Sequence, residues 1–182
     1  AAGGARLLLG CDLVVAASND SLVKVDRRQA AAVINSHEAM TAEFTRDADA
    51  KLPIDSMHGL ISECVGDEDT FFVDAHGAAL RYLGNTMGAN LFMAGFAYQK
   101  ALLPLSAGAI EEAIRLNGVA VESNLKAFNL GRLSALGKLD DKPADVEVIQ
   151  QADDLNLDEL VQNRREKLLA YQNESLAEKY QQ

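Results

Sequence analysis

Apolar residues occur in two patterns along this chain, and each pattern predicts a different kind of element. In the first half they form short continuous runs, at residues 11–17, 30–35 and 70–74. Runs of this kind, rich in Val, Ile and Phe, are typical of strands that are covered on both faces. From Asn85 onward, apolar residues recur at helical spacing. The pattern therefore predicts a parallel sheet followed by a helical region.

Polar and helix-breaking residues between the apolar runs predict the connecting helices. Gly10 follows three leucines that we interpret as the end of a helix, Ser18 is a good N-cap, and Pro53 can occupy a first helical turn. The predicted helical segments are, in order, residues 7–9, 22–28, 54–65 and 78–83. A strand, a helix and a strand in close succession favour a parallel sheet. The charged segment 39–51 predicts a long surface loop.

The helical second half divides at Pro104, which must break the backbone hydrogen bonding of the helix that contains the apolar segment 91–98. Ser106 then caps a helix over residues 107–116, and another helix follows Gly118. Small residues stand where packed helices normally carry bulk: Gly88, Ala89, Ala94, Gly95 and Ala97. Two or three helices are therefore expected to pack very closely.

The end of the chain has its own pattern. Pro143 lies in a polar connector, and residues 157–180 then place apolar side chains along one stripe of a predicted amphipathic helix. Such a helix must dock either on its own domain or on a partner. We therefore predict an α/β fold, a partial Rossmann-like parallel sheet with flanking helices, over residues 1–136. A linker and a helical C-terminal appendage are predicted over residues 137–182.

Composition narrows the classes of function. The 182 residues are 48% hydrophobic and carry a formal net charge of -10 without a cluster of Lys or Arg, which argues against nucleic acid or a membrane surface as a partner. The apolar runs are too short to span a membrane, and we expect a cytoplasmic protein. Cys11 and Cys64 are predicted to be buried free thiols. Two cysteines cannot hold an iron-sulfur cluster, which needs four thiolates.

Candidate chemistry lies after the second predicted strand, at residues 35–38, because open parallel sheets bind ligands at the carboxyl ends of their strands. The alternative is that Asn35 and Ser36 only cap and turn the chain while His37 bonds a nearby carbonyl. No metal site is predicted, because the acidic run 67–69 lacks regularly alternating oxygen ligands. The chain has three histidines, His37, His58 and His76. No two of them have the i, i+4 spacing that places a pair of metal ligands on one helix face.

The segment from residue 85 to 131 carries the most specific motifs. It opens on Asn85-Thr86-Met87-Gly88-Ala89-Asn90, continues through a small-residue helix and an acidic helix, and closes on Asn124-x-x-Ala-Phe-x-x-Gly131. Together with segments 11–17, 33–38, 44–47 and 72–75, this order resembles the gamma domain of the 2-oxoacid:ferredoxin oxidoreductases, most closely the fused indolepyruvate type. The resemblance covers residues 1–136. A glycine-rich turn that opens the domain in that family has no counterpart here, so we interpret the chain as a fragment.

The resemblance implies an activity for the intact enzyme rather than for this chain alone. Enzymes of this family oxidatively decarboxylate 2-oxoacids, aryl pyruvates in the indolepyruvate type, to acyl-CoA and pass the electrons to ferredoxin. They use thiamine diphosphate with Mg, 4Fe-4S clusters and coenzyme A. The resemblance assigns the thiamine and cluster sites to other domains, and no catalytic residue to this chain. The implied partners are those other domains or subunits, ferredoxin and, in a homodimer, a second copy.

The resemblance also implies where coenzyme A would meet this chain. A gamma domain packs beside the thiamine site, and strand ends and helix starts bind anions well. The residues expected to face that cleft are Asn35, Ser36, His37, Arg46, Asn85 and Asn90. Alternatively, Asn85, Asn90 and Asn124 only bond broken backbone beside a helix seam.

Two other classes of function remain as alternatives. The first is a non-catalytic subunit-interaction module. The second, a stand-alone dinucleotide-binding enzyme, is disfavoured because the chain lacks the glycine fingerprint.

Overall fold

The sheet is parallel and has three strands in the part of the chain that the structure describes. A computed structural model describes residues 2–37 and 53–139, all within the compact unit Ala1–Lys142. The strands lie side by side in the order β1 (Leu7–Gly10), β2 (Ala31–Asn35) and β3 (Thr70–Val73). Seven helices accompany them in these residues: α1 (Leu13–Ala16), α2 (Asn19–Leu22), α3 (Ile54–Val65), α4 (Ala75–Leu83), α5 (Ala89–Gln99), α6 (Ala107–Asn117) and α7 (Val121–Ala135). The described fold is therefore mixed α/β, as predicted.

Strand β2 is buried along its whole length because helices cover both of its faces. β1 aligns with the first four residues of β2, and β3 aligns with the last four. Ala32 and Ile34 pack on one face with Leu13 of α1 and Ile61 of α3. Val33 points to the other face, into a cluster that includes core residues of α5. Alternate residues of β2 thus serve two cores, which explains its continuous apolar run.

Two predictions at the start of the chain are wrong. Residues 7–9, predicted to end a helix, form β1, and the run 11–17, predicted to be a strand, forms a turn and α1. Asp12 decides the second case, because its carboxylate accepts a hydrogen bond from the Val15 N–H at 2.8 Å and caps α1. A short apolar run does not by itself distinguish a strand from a buried helix.

Burial in the same segment follows helical spacing. Leu13, Ala16 and Ala17 are buried on one side, whereas Val15 is 63% exposed. Gly10 ends β1 rather than a helix. A Cβ at this position would lie only 2.7 Å from the Ala16 Cβ, so no larger residue fits between β1 and α1. The glycine lets α1 pack directly against the end of the strand.

The other predicted elements lie close to their predicted positions. β2, α3, β3, α5 and α6 are present, and the Ser106 hydroxyl accepts a hydrogen bond from the Ala109 N–H at 3.2 Å to cap α6. Ser18 caps α2 as predicted, but α2 is the single turn Asn19–Leu22 rather than residues 22–28. α4 begins before the predicted residue 78, because Asp74 caps it.

Helices α5 and α7 pack with their backbones in contact, as the small residues predicted. A Cβ at Gly95 would overlap the carbonyl oxygen of Phe128, and a Cβ at Gly131 would overlap the carbonyl oxygen of Phe92. Both phenylalanines are fully buried. Each helix therefore contributes one Phe-x-x-Gly unit, and the contacts are reciprocal. We call these four residues the α5/α7 seam.

Some predictions concern residues outside the described ranges. These are the loop over residues 39–51, with Arg46, and the amphipathic helix over residues 157–180. Of the cysteines, Cys64 is buried as predicted, but Cys11 is exposed, because it lies in the turn after β1 and not in a strand. In the described residues, no helix combines the length and the apolar character that crossing a membrane requires.

Candidate functional site at the carboxyl edge of the sheet

The side chain of Asn35 joins the ends of all three strands. Its Nδ2 donates to the carbonyl oxygen of Cys11 at 3.3 Å, and its Oδ1 accepts from the N–H groups of His37 at 3.3 Å and Ala75 at 3.2 Å. Asn35 is only 7% exposed, so these bonds satisfy a buried amide. We call the residues joined here, Cys11, Asn35 to His37 and Asp74 to His76, the carboxyl edge.

The chain continues the sheet for one residue beyond β2. The Ser36 N–H donates to the carbonyl oxygen of Val73 at 3.0 Å. Ser36 and His37 are both half-buried, in contrast to the buried Asn35. The structure therefore brings Asn35, Ser36 and His37 together where β2 ends, with Ser36 and His37 nearer the solvent.

A stacked pair of imidazole rings lies at this edge. The ring centroids of His37 and His76 are 3.6 Å apart, and the ring planes are within 4° of parallel. His76 belongs to the first turn of α4, so the stack links the end of β2 to the start of that helix. His58 lies apart from this pair: its ring packs on Phe72, and its buried Nε2 has no hydrogen-bond partner among the described residues.

Two carboxylates in or next to the carboxyl edge are already engaged as helix caps. Asp12 caps α1 by accepting from the Val15 N–H, and Asp74 caps α4 by accepting from the Gly77 N–H at 2.7 Å. Each carboxylate occupies the positive end of its helix, where an anionic ligand would otherwise bind. The starts of α1 and α4 are therefore poor anion sites.

The Cys11 thiol also lies at the carboxyl edge. Although the residue is exposed as a whole, burial raises the pKa of the Cys11 thiol above its ordinary value. A raised pKa leaves less of the nucleophilic thiolate at neutral pH. Cys11 is thus not an activated nucleophile.

Asn85 belongs to the turn that precedes α5, and Asn90 is the second residue of that helix. Asn85 is exposed, and its side chain donates to the carbonyl oxygen of Leu83 at 3.2 Å and accepts from the Met87 N–H at 3.0 Å. Asn90 is exposed in the first turn of α5, a helix that no side chain caps. In the described residues, no hydrogen bond or ring contact joins either asparagine to the carboxyl edge.

The closing motif of the segment 85–131 has a structural explanation. Asn124 Nδ2 donates to the carbonyl oxygen of Val119 at 2.9 Å, beside the left-handed residue Ala120 at the start of α7. Ala127 and Phe128 are fully buried, and Gly131 contacts the backbone of α5. Every specified residue of this motif therefore shapes the α5/α7 seam or the start of α7.

In comparisons with known proteins, this chain has no match. No family model, no curated protein and no solved structure matches it. The candidate site therefore stands on its geometry and on the sequence motifs.

Sequence reasoning missed the histidine stack at the carboxyl edge and a separate cleft beside that edge. The cleft has a volume of about 430 Å³ and is lined by Asp74, Gly77, Ala78, Arg81, Tyr82, Ser134, Gly137 and Leu139. These residues come from α4 and its N-cap, from the last turn of α7 and from the segment that follows α7, and no sequence motif links them. Both features join residues that are distant along the chain, so no local pattern signals them.

Proposed function

We propose that this chain is a gamma-domain fragment of an indolepyruvate, or aryl 2-oxoacid, ferredoxin oxidoreductase. The intact enzyme would couple oxidative decarboxylation of the 2-oxoacid to acyl-CoA formation, with electrons passing to ferredoxin. The observation that carries the proposal is the order and spacing of the gamma-type motifs over residues 1–136. The α/β fold and the position of residues 35–37 at the carboxyl ends of parallel strands are compatible with it.

The proposal divides the candidate residues into two roles. The side-chain amides of Asn35 and Asn85 form hydrogen bonds with the protein's own backbone, so we assign these residues the role of positioning the segments around the site. Ser36, His37 and Asn90 are half-buried or exposed and are assigned to direct contact with coenzyme A. Asn90 is the best placed for a phosphate, because the start of α5 carries no side-chain cap. Arg46 keeps its proposed role but lies outside the described residues.

This chain lacks the side chains that would bind a 4Fe-4S cluster or the metal of thiamine diphosphate. Two cysteines cannot provide the four thiolates of a 4Fe-4S cluster, and the sequence lacks the Gly-Asp-Gly motif that binds the metal of thiamine diphosphate. The described residues also contain no group of three or more His, Cys, Asp or Glu side chains arranged for a metal. The proposal therefore gives these cofactors to neighbouring domains or subunits.

The test is an assay on the native protein that contains this chain, purified without oxygen. Indolepyruvate-dependent reduction of a viologen dye is expected, and it should require both coenzyme A and thiamine diphosphate. Pyruvate and branched-chain 2-oxoacids serve as substrate controls. Absence of dye reduction with every aryl and alkyl 2-oxoacid, in protein with intact clusters, would contradict the proposal.

A second candidate is a non-catalytic subunit-interaction module, which exposed apolar side chains favour. Met87 is 85% exposed, Leu116 is 79% exposed and Val119 is 65% exposed. These side chains lie in and around the helical second half rather than at the carboxyl edge. Under this alternative, Leu116→Ser would release a partner subunit in size-exclusion chromatography, and no 2-oxoacid would reduce the dye.

A further inference from the structure

The cleft beside the carboxyl edge has one wall that is a single face of α4. Its volume of about 430 Å³ lies in the range of small-molecule sites. The lining residues from α4 and its N-cap have the i, i+3, i+4, i+7 and i+8 spacing of one helix face: Asp74, Gly77, Ala78, Arg81 and Tyr82. Gly77 and Ala78 lie in the middle of this wall. Their small size leaves the space open between the residues at its two ends.

The end of α7 completes the described lining. Ser134 belongs to the last turn of this helix, and Gly137 and Leu139 follow it. Gly137 has φ 64°, its N–H donates to the Ser134 carbonyl oxygen at 2.9 Å, and the Lys138 N–H donates to the Leu133 carbonyl oxygen at 3.0 Å. These two bonds form the Schellman pattern that closes a helix. Leu139 packs on the hydrophobic core. This wall is therefore held in place by the fold rather than by a ligand.

The two ends of the α4 wall carry opposite charges. Asp74 and Arg81 are both exposed and lie seven residues apart, which is about 10 Å along the helix axis. One oxygen of Asp74, Oδ1, accepts from the Gly77 N–H at 2.7 Å, and a Cβ at Gly77 would overlap the other oxygen. Glycine at this position therefore leaves room for the carboxylate. In the part of the chain that the structure describes, both ion pairs belong to Arg115, so the Arg81 guanidinium has no carboxylate partner there.

This arrangement of charges favours one class of ligand. A cation in the last turn of a helix is stabilised by the helix dipole, so Arg81 by itself marks no site. Asp74 and Arg81 line one space, however, so Asp74 would repel a purely anionic ligand and Arg81 would repel a purely cationic one. A molecule with an ammonium group at one end and a carboxylate at the other complements both residues. A tripeptide is long enough, because three extended residues span about 10 Å.

We propose that the cleft binds a small zwitterion whose ammonium and carboxylate groups lie about 10 Å apart. Asp74 accepts hydrogen bonds from the ammonium group, and the Arg81 guanidinium donates to the carboxylate. The Ser134 hydroxyl lines the same space and can bond a polar group of the ligand. None of the described residues assigned to coenzyme A contact lines the cleft, so the site is independent of the proposed role in 2-oxoacid oxidation.

Trialanine is the probe, and peptides that lack one charge are its controls. Dissociation constants are measured by NMR on the full chain, from the backbone N–H signals of Gly77, Ala78, Ser134 and Gly137. We expect trialanine to shift these signals saturably. N-acetyl-trialanine lacks the ammonium group and trialanine amide lacks the carboxylate, so each should bind about fivefold more weakly. Equal binding of all three peptides, or no saturable shift at these residues, would overturn the proposal.

A further probe, 6-aminohexanoate, carries both charges without peptide bonds. An affinity like that of trialanine would show that the cleft recognises the two charges alone. A weaker affinity would show that the peptide groups are recognised as well, which identifies short peptides as the ligand.

Two substitutions test the residues that hold the two charges. Asp74→Asn removes a charge but keeps the cap of α4, because Asn is as good an N-cap as Asp. It should weaken trialanine binding about fivefold and leave N-acetyl-trialanine binding unchanged, since that peptide has no ammonium group. Arg81→Gln should weaken trialanine binding and leave trialanine amide binding unchanged.

Lys138→Gln is the matched control, because Lys138 is exposed beside Gly137 but does not line the cleft. It should leave the binding of all three peptides unchanged. The proposal would be overturned if Asp74→Asn or Arg81→Gln weakened all three peptides equally, or if Lys138→Gln reduced trialanine binding as much as Arg81→Gln.

Discussion

The carboxyl edge and the α5/α7 seam both bring backbone segments close together, but by opposite means. At the edge, the buried amide of Asn35 forms directional hydrogen bonds with three segments. At the seam, Gly95 and Gly131 omit the side chains that would separate two helices. The edge keeps half-buried polar groups within reach of solvent, whereas the seam is filled with backbone and buried rings. The segment 85–131, which carries the most specific sequence motifs, therefore serves mainly to pack helices. The less specific motif, at residues 35–37, is the one that lies near solvent.

Adding a methyl group to the seam should cause the largest loss of stability. Gly131→Ala drives a Cβ into the carbonyl oxygen of Phe92, and neither backbone can yield without separating the helices. We expect the free energy of unfolding to fall by about 3 kcal/mol or more, measured by urea denaturation. Gly95→Ala should behave in the same way through Phe128.

Gly108→Ala in α6 is the matched control for this change. No heavy atom lies within 4 Å of a Cβ at Gly108, so the substitution only improves helix propensity and should raise stability by up to about 1 kcal/mol. If Gly131→Ala were as stable as Gly108→Ala, the helices could not be in backbone contact.

Removing the amide at the edge should have the next largest effect. Asn35→Ala leaves the Ala75 N–H and the Cys11 carbonyl without their partner, at a cost of about 2 kcal/mol. Asn85→Ala removes a similar pair of bonds from an exposed turn and should cost about 0.5 kcal/mol. Equal losses for the two variants, measured by thermal or urea unfolding, would mean that burial does not distinguish the two amides.

Relief of backbone strain at the ends of the seam helices should stabilise the protein. Ala101 follows α5 with φ 59°, and Ala120 precedes α7 with φ 45°, a region that favours glycine. Ala101→Gly and Ala120→Gly should each raise the free energy of unfolding by about 1 kcal/mol. Ala113→Gly, in the exposed interior of α6, is the control and should lower it by a similar amount. A loss of stability in either of the first two variants would contradict these backbone conformations.

The smallest effect concerns the thiol at the edge. Because burial raises the Cys11 pKa, its alkylation rate should rise with pH along a curve displaced above that of an ordinary thiol. The folded state then binds the proton more tightly than the unfolded chain, so stability falls slightly as pH rises through this range. Cys64 is buried and should react only on unfolding. Mass spectrometry of alkylated peptides separates the two sites, and a Cys11 curve at or below the ordinary thiol would count against the raised pKa.

Sequence patterns predicted those parts of the fold whose signals are local. The caps at Ser18 and Ser106 and the buried strand β2 followed from adjacent residues, and the parallel sheet followed from their order. The turn at Asp12 was missed because the apolar residues after it suit a strand as well as one face of a helix. The histidine stack could not be predicted, since only the sheet topology brings His37 and His76 together.

The candidate site was predictable in position but not in detail. The rule that ligands bind at the carboxyl ends of parallel strands located Asn35, Ser36 and His37 together. The side chain of Asn35 is occupied by hydrogen bonds to backbone, whereas Ser36 is half-buried. This difference depends on where β1 and β3 end, so the local sequence motif does not reveal it. The repeated Phe-x-x-Gly unit was a usable signal for the seam, because it occurs once in each of the two helices.

The most direct test of the contrast between edge and seam is the KM for coenzyme A in the dye-reduction assay of the intact protein. Ser36→Ala is expected to raise this KM while the unfolding temperature stays unchanged. Gly131→Ala is expected to lower the unfolding temperature while the KM of the folded fraction stays unchanged. An unaltered KM in the Ser36, His37 and Asn90 variants alike would contradict a coenzyme A role for this chain.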